Sequence, residues 1–264
     1  MPFQVSPGVN ISEIDLTHVV PNVATSIGAM VGGFQWGPVM ERTNITTEND
    51  LVKVFGKPVA VNAASQVSFH VASNYLAYSN NLYVVRVLDQ AVALNATAGG
   101  AGKLVINRTA YEGTPAVQAV SYLNETFVAR YPGVLGNSLK VLAIDQTGWA
   151  TADAGRAAAV AARLAGTANP TQINQLAFVE NFDRAPGTST DVANAGGSND
   201  EMHVIVIDED GAWTGSPGQV LETHAYVSKA SDAKKIDGSS NYVRNVLLDE
   251  SVYIYLGQQS ILTV

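Results

Sequence analysis

Two neighbouring stretches decide the fold: residues 46–56, TTENDLVKVFG, and residues 80–88, NNLYVVRVL. In the first, a threonine that can cap a helix precedes residues 48–55, and a glycine that is typical of a helix end follows them. In the second, a pair of asparagines precedes residues 82–88, whose nearly continuous apolar run is typical of a strand buried on both faces. The two stretches therefore predict a helix and a strand in close succession.

Two further elements flank these stretches. The apolar run at 23–34 predicts a strand, and residues 62–79 predict a second helix that ends at the asparagine pair. The apolar residues of this helix repeat at spacings of three and four and so share one face: Ala64, Val67, Val71, Tyr75 and Tyr78. Together the four elements predict a layered β-α-α-β unit, with both strands in one sheet and the helices covering it.

The composition predicts a globular protein with a weakly charged surface. The 264 residues are 47% hydrophobic and 14% charged, whereas soluble domains typically carry roughly 25% charged residues. The net charge of -8 provides no basic surface for phosphate groups, so we expect no nucleic-acid partner. A surface of this kind fits an ordinary monomer, and it also fits extensive burial against partner subunits.

The chain contains no cysteine, which excludes disulfides, a thiolate nucleophile and a cysteine-based zinc site. Residues 1–9 have neither the basic nor the apolar part of a signal peptide, and no run of about 18 uncharged apolar residues occurs. We therefore expect no secretion through a signal peptide and no membrane insertion.

Shifts in composition divide the chain into five predicted regions, and the predicted fold class is α+β and multidomain. The regions are an extended N-terminal arm at 1–22, a small α/β layered domain at 23–90, a linker at 91–102, an inserted β-rich outer domain at 103–200 with one Ala-rich helix, and an α/β segment at 201–264. The last segment ends within an apolar stretch, which predicts that the polypeptide continues.

The arm at 1–22 is predicted to be extended because its three prolines exclude a helix interior. Its apolar positions lie between polar ones, and the candidate inter-subunit residues are Val5, Val9, Ile11, Ile14 and Leu16. Such an arm could add a strand to the sheet of another subunit. The alternatives are an arm that lies on its own domain or a tail without fixed contacts.

The second half of the chain mixes strand and helix signals. Strands are predicted at 103–107, 117–121, 125–130, 139–145, 203–207 and 218–228. An Ala-rich helix is predicted over 152–165, and its small apolar face, which permits close helix packing, is Ala154, Ala157, Ala161 and Leu164. Loops are predicted at 184–200 and 231–238, and apolar periodicity returns at 242–248 and 252–256.

Residues that could carry chemistry are few, and none forms a complete motif. The four histidines lack metal-binding spacing, and the run Asp208-Glu209-Asp210-Gly211 does not fit a calcium loop, so a solvated turn is expected. Ser231 and Lys234 match a hydrolase spacing without its companion motifs. We predict no catalytic, cofactor-binding or metal-binding residue, no cofactor and no enzymatic activity. A hydrolase that uses the carboxylates of residues 208–210 is the alternative.

Several short motifs follow one another along the chain. They are SPGVNISEID at 6–15, GGFQWGP at 32–38, NDL leading to FGKP at 49–58, NNLYVVRV at 80–87, YPGVLGNSL at 131–139 and VIDEDG at 206–211. In this order they strongly resemble the N-terminal portion of the tail sheath proteins of contractile-tail, myovirus-type bacteriophages. The resemblance spans nearly the whole chain, although members of that family are usually much longer.

The resemblance implies a structural subunit that polymerises helically around a tail tube and contracts to drive the tube through the host envelope. It implies that the arm adds a strand to a neighbouring subunit, and that a C-terminal domain outside this sequence provides the acceptor sheet. Implied partners are other copies of the chain, the tail tube protein, and baseplate and tail terminator proteins. The implied location is the virion, after assembly in the host cytoplasm. The alternative is an exposed virion module at 103–200 that binds host surface glycans.

Overall fold

The computed structural model shows a mixed α+β fold, as the sequence predicts. It describes residues 27–58, 63–97, 102, 104–113 and 127–257. The strand predicted at 117–121 lies outside these residues. No helix within the described ranges is long and apolar enough to cross a membrane.

The described residues form eight strands and eight α-helices. The strands are β1 (Gly28–Gly32), β2 (Arg42–Ile45), β3 (Leu82–Arg86), β4 (Phe127–Ala129), β5 (Leu139–Ile144), β6 (Glu201–Asp208), β7 (Gln219–Ser228) and β8 (Ile254–Leu256). The helices are α1 (Glu48–Phe55), α2 (Ala63–Leu76), α3 (Arg108–Glu112), α4 (Gln146–Ala154), α5 (Arg156–Leu164), α6 (Pro170–Asn181), α7 (Thr190–Asn194) and α8 (Val243–Glu250). A short 3-10 helix spans Val134–Ser138.

The first sheet has the strand order β1-β3-β2. Strands β1 and β3 pair directly, which confirms that the two predicted strands lie in one sheet, and they run parallel. Strand β2, which was not predicted, pairs antiparallel to β3. The predicted helix at 48–55 is confirmed as α1. Its N-terminus is capped by Thr47, whose side chain accepts a hydrogen bond from the Asp50 amide, and it ends at Gly56 with a φ of 78°.

Helix α2 confirms the second predicted helix, but it packs on the sheet with a different face. The buried side chains of the helix are Ser65, Phe69 and Ala72. The predicted face is largely exposed, as shown by Val67 (63%), Val71 (53%) and Tyr78 (94%). The glycines of β1 let the helix approach closely, because a Cβ at Gly28 would lie 2.5 Å from the Tyr75 ring. Tyr75 is thus the one residue of the predicted face that packs on the sheet, whereas the others are exposed.

The second sheet has the antiparallel order β5-β6-β7. All eight residues of its central strand, β6, are buried, because a layer covers each face of the sheet. One core contains Ile144, Leu176, Phe178 and Ile205, with side chains from α4 and α6. The other contains Val204, Val206, Val246 and Leu247, with side chains from α8, β4 and β8.

The region predicted as a β-rich domain at 103–200 is mostly helical in its described residues. Its strands there are β4 and β5, whereas helices α3 to α7 cover more of the chain. The strand predicted at 103–107 is wrong over the residues described, because Asn107 caps α3 by accepting a hydrogen bond from the Ala110 amide. The loop predicted at 184–200 contains the short helix α7.

The predicted Ala-rich helix is two helices, α4 and α5, which meet at Gly155. The face predicted for close packing is exposed: Ala154, Ala157, Ala161 and Leu164. The buried alanines are instead Ala152 and Ala159, which share a core with α6. The sequence did not predict α6, and this helix decides which side of its neighbours is buried.

Strand pairing joins the predicted regions 103–200 and 201–264. Strand β4 pairs with β8, and β5 pairs with β6, so each of these two sheets contains strands from both regions. The division of the chain into domains stays a prediction.

Candidate functional site

A buried arginine at the end of β3, Arg86, lies where several parts of the chain meet. Its guanidinium donates hydrogen bonds to the main-chain carbonyls of Phe34 (2.9 Å), Gln35 (3.1 Å), Gly37 (2.8 Å) and Pro132 (2.7 Å). Burial lowers the pKa of Arg86 to about 10, so the side chain remains charged at neutral pH. The arginine thus joins the first sheet to the loop around Gln35 and the loop around Pro132, which are 51 and 46 residues away in the sequence.

An aromatic cluster extends this contact. The ring of Trp36, which is 2% exposed, meets the ring of Tyr131 at 5.4 Å and that of Trp213 at 4.9 Å, both edge to face. Trp213 in turn meets Tyr253 at 4.9 Å. Edge-to-face pairs of this kind add to the stabilisation from apolar burial. We call Arg86 and this cluster the arginine junction.

Glycines in the 131–139 motif allow the close approach at the arginine junction. Gly133 has a φ of 142°, and a Cβ there would lie 2.6 Å from the carbonyl oxygen of Gln35. Its neighbour in the motif, Gly136, would bring a Cβ to 3.0 Å from that of Ala129. A side chain at Gly133 would therefore separate the two loops that Arg86 joins.

The acidic turn at 208–211 is attached to the same region through Asp208. Its buried carboxylate accepts hydrogen bonds from the Ser138 hydroxyl (2.7 Å), the Trp213 amide (3.0 Å), and the Thr214 amide (2.8 Å) and hydroxyl (2.9 Å). Burial alone would raise the pKa of Asp208, but these donors outweigh it and hold the pKa below its usual value. Asp208 is a fixed anion that organises the turn, so the hydrolase alternative gains no support.

The other carboxylates of this turn show no catalytic arrangement. Glu209 forms an ion pair with Lys140 at 3.0 Å, and its side chain is half exposed. The Asp210 amide donates to the Ser138 hydroxyl at 3.2 Å. The predicted turn is present at residues 209–211, but it is not solvated throughout, because Asp208 at its start is buried.

The histidines within the described ranges occupy separate places. His203 is fully buried on β6, donates from Nε2 to the Arg184 carbonyl at 3.0 Å and accepts at Nδ1 from the Tyr226 amide at 3.1 Å. His224 pairs with Glu222, and its Nε2 lies 3.3 Å from that carboxylate. His70 is exposed on α2. The part of the chain that the structure describes holds no group of three or more side chains that could bind a metal ion.

An open groove of about 250 Å³ lies between α6 and one end of the second sheet. Its two cations are already paired, Lys140 with Glu209 and Arg163 with Glu180 at 2.7 Å. The described residues that line the groove include no aromatic ring. The groove therefore offers neither unpaired charge nor a stacking surface for a sugar, and the glycan alternative gains no support from it.

The predicted arm residues Val5, Val9, Ile11, Ile14 and Leu16 lie outside the described residues. Five of the six motifs named in the sequence analysis lie within the described residues, and all five contribute to the arginine junction or contact it. The motif at 49–58 reaches the junction through the Gln35 side chain, whose amide donates to the Lys57 carbonyl at 3.0 Å. Sequence reasoning missed the role of Arg86, although a single arginine within an apolar strand was an available signal.

Similar sequences occur among curated proteins. The tail sheath protein of Vibrio phage KVP40 is 46% identical over 92 residues, which are 35% of this chain and 13% of that protein. The tail sheath protein of Salmonella phage ViI is 30% identical over 220 residues, which are 83% of this chain and 28% of that protein. The chain is a relative of phage tail sheath proteins. The tail sheath protein of Enterobacteria phage T4 adds a third match, at 40% identity over 92 residues, or 35% of this chain and 14% of that protein.

This sheath-related chain spans at most 28% of the length of these three curated relatives. No protein-family model matches it. Among solved structures, a sheath tail protein from Listeria innocua covers 88% of this chain and 30% of its own length, at a TM-score of 0.35 and 13% identity. That similarity is too low to support an argument.

Proposed function

We propose that the chain is part of a structural subunit of a contractile tail sheath, which polymerises helically around the tail tube and contracts to drive the tube through the host envelope. The relationship to three phage tail sheath proteins carries this proposal. The name of these relatives describes a structural component and no enzyme, in agreement with the prediction from the sequence.

The arm at 1–22 is the proposed inter-subunit segment, with Val5, Val9, Ile11, Ile14 and Leu16 as its contact residues. An extended segment supplies main-chain hydrogen bonds to the edge of another subunit's sheet, and its alternate apolar side chains fit pockets there. A head-to-tail contact of this kind, with a translation between copies, builds an open helix and not a closed ring. The proposed partners in the assembly are other copies, the tail tube protein, and baseplate and tail terminator proteins.

The arginine junction fits the mechanical requirement of this role. Contraction moves subunits past one another, so each subunit needs a body that moves as a unit while its connections change. Four carbonyl contacts to one buried guanidinium, together with the Trp36 cluster, hold the first sheet and the 131–139 motif together. We propose that the junction supplies this rigidity. The proposed location is the virion tail, with assembly in the host cytoplasm.

Electron microscopy of the complete gene product, expressed alone and with its tail tube protein, tests the proposal. We expect tubes or striated sheaths, and their absence under both conditions would contradict a sheath role. The arm is tested by two matched variants. Ile11→Asp with Ile14→Asp should prevent tube formation, whereas Asn10→Asp with Ser12→Asp adds the same charge at polar positions and should leave tubes intact.

A further inference from the structure

Among the residues that the structure describes, nothing covers the face of the first sheet opposite α1 and α2, which we call the uncovered face. On β1, the outward side chains include Ala29 and Val31, and the latter is 66% exposed. In register beside them on β3 lie Tyr83 and Val85, which are half-buried. Ile27, just before β1, is 59% exposed and continues this apolar row. Two neighbouring strands thus present adjoining rows of apolar side chains to solvent.

A cover for this face is expected on physical grounds. Strands β1 and β3 form a parallel pair, and parallel strands are usually buried on both faces. Exposed contiguous apolar surface of this kind generally marks a contact site. Within the described ranges, a layer covers the first sheet on the side of α1 and α2 and not on the other side.

The cation Arg42 lies at the edge of the uncovered face. Arg42 on β2 is exposed, lies in register with Val85, and stacks its guanidinium over the Tyr83 ring at 4.8 Å. It makes no ion pair with any residue that the structure describes. An occupant of this face should therefore be apolar and carry an acidic group.

The segment at 9–16, outside the described residues, has this composition. It combines four apolar residues with two acidic ones, Glu13 and Asp15; the apolar residues are Val9, Ile11, Ile14 and Leu16. Apart from His18, the two acids are the only ionisable side chains in residues 1–40. Residues 17–26 connect it to β1, and ten residues can span about 33 Å, whereas a five-residue strand is only about 17 Å long. The segment can therefore reach the uncovered face of its own chain.

We propose that in the free chain the segment at 9–16 docks in cis on the uncovered face of the first sheet, with Glu13 or Asp15 facing Arg42. The short connection gives the segment an effective concentration on the order of millimolar, far above that of a second copy in dilute solution. The contact shields the apolar residues of both surfaces, and the arm must leave it before it can donate a strand to another subunit. The inference concerns the free chain and does not depend on the proposed sheath role.

Disulfide cross-linking tests the contact, since the chain has no native cysteine that would interfere. The test variant combines Ser12→Cys with Asn44→Cys, which is exposed on β2 in register with Tyr83. The control combines Ser12→Cys with His70→Cys, which is exposed on α2, on the other side of the sheet. We expect mild oxidation of dilute protein to give about tenfold more intramolecular disulfide in the test variant, because only that pair is held together.

Charge reversal adds a second measurement. Adding Arg42→Glu to the test variant should lower the yield of intramolecular disulfide several-fold, and a further Glu13→Arg should restore it. Equal yields for Asn44→Cys and His70→Cys, or no response to Arg42→Glu, would overturn the proposal. A product that is mainly a disulfide-linked dimer would also overturn it, because the contact would then join two copies.

Discussion

Strands β3 and β6 have similar sequences but different surroundings. Both are dominated by branched apolar residues, LYVVR in β3 and EMHVIVID in β6. All eight residues of β6 are buried between two layers, whereas β3 alternates between buried and half-buried residues because one face of its sheet is uncovered. The same sequence signal therefore accompanies a core on both faces in one sheet and, among the described residues, a core on one face in the other.

The substitution that should reduce stability most is at Arg86, the residue of β3 that lies at the arginine junction. Arg86→Met would leave four main-chain carbonyls without their donor, so we expect a loss of about 4 kcal/mol in the free energy of unfolding. Urea denaturation followed by circular dichroism measures it. Arg156→Met, at an exposed arginine at the start of α5, is the control and should cost less than about 0.5 kcal/mol. Equal losses would show that the junction does not stabilise the fold.

A methyl deletion in β6 should have the next largest effect. Val206→Ala removes two methyl groups from a fully buried position, and we expect a loss of about 2 kcal/mol in the free energy of unfolding. The same denaturation experiment measures it. A loss below about 0.5 kcal/mol would mean that β6 is not packed on both faces.

The buried histidine of β6 should make the stability of the protein depend on pH. Burial lowers the pKa of His203 in the folded state below its usual value, so between the two pKa values the unfolded chain binds more protons. The stabilisation is complete above about pH 6.5 and is lost as the pH falls, by at most about 1.4 kcal/mol per unit. Urea denaturation at a series of pH values measures this slope. His203→Gln removes the titrating group, and an unchanged slope in this variant would contradict the prediction.

The smallest effect is expected on the open face of β3. Val85→Ala makes the same change as Val206→Ala at a half-buried position. In a chain that lacks residues 1–22, and with them the segment proposed to cover this face, we expect a loss of only about 0.5 kcal/mol. The ratio of the two losses measures how completely each strand is covered. Equal losses from the two substitutions in that truncated chain would mean that this face is packed without the segment at 9–16.

Local signals predicted much of the fold. The threonine cap and the glycine stop determined α1, and Leu82–Arg86, Leu139–Ile144 and the β6 region were expected as strands from their apolar runs. These features depend on residues close together in the sequence, which is why one stretch of chain suffices to predict them. The motif order likewise indicated the relationship to tail sheath proteins.

The candidate site was less predictable because its contacts join distant residues. Arg86 reaches Pro132, 46 residues away, and Asp208 binds Ser138, 70 residues away. Periodicity also misidentified the buried sides of α2 and α5. Val67 and Leu164 lie at suitable helical spacing, yet they are 63% and 83% exposed.

The sequence by itself determined the ends of α1, the positions of strands β3, β5 and β6, the shortage of catalytic groups, and the kinship with phage tail sheath proteins. Only the tertiary structure decided which apolar surfaces are buried. Spacing along a helix or strand determines which side chains share a face, but burial depends on what packs against that face. Over β6 there is a layer on each side, whereas no described residue covers one side of β3.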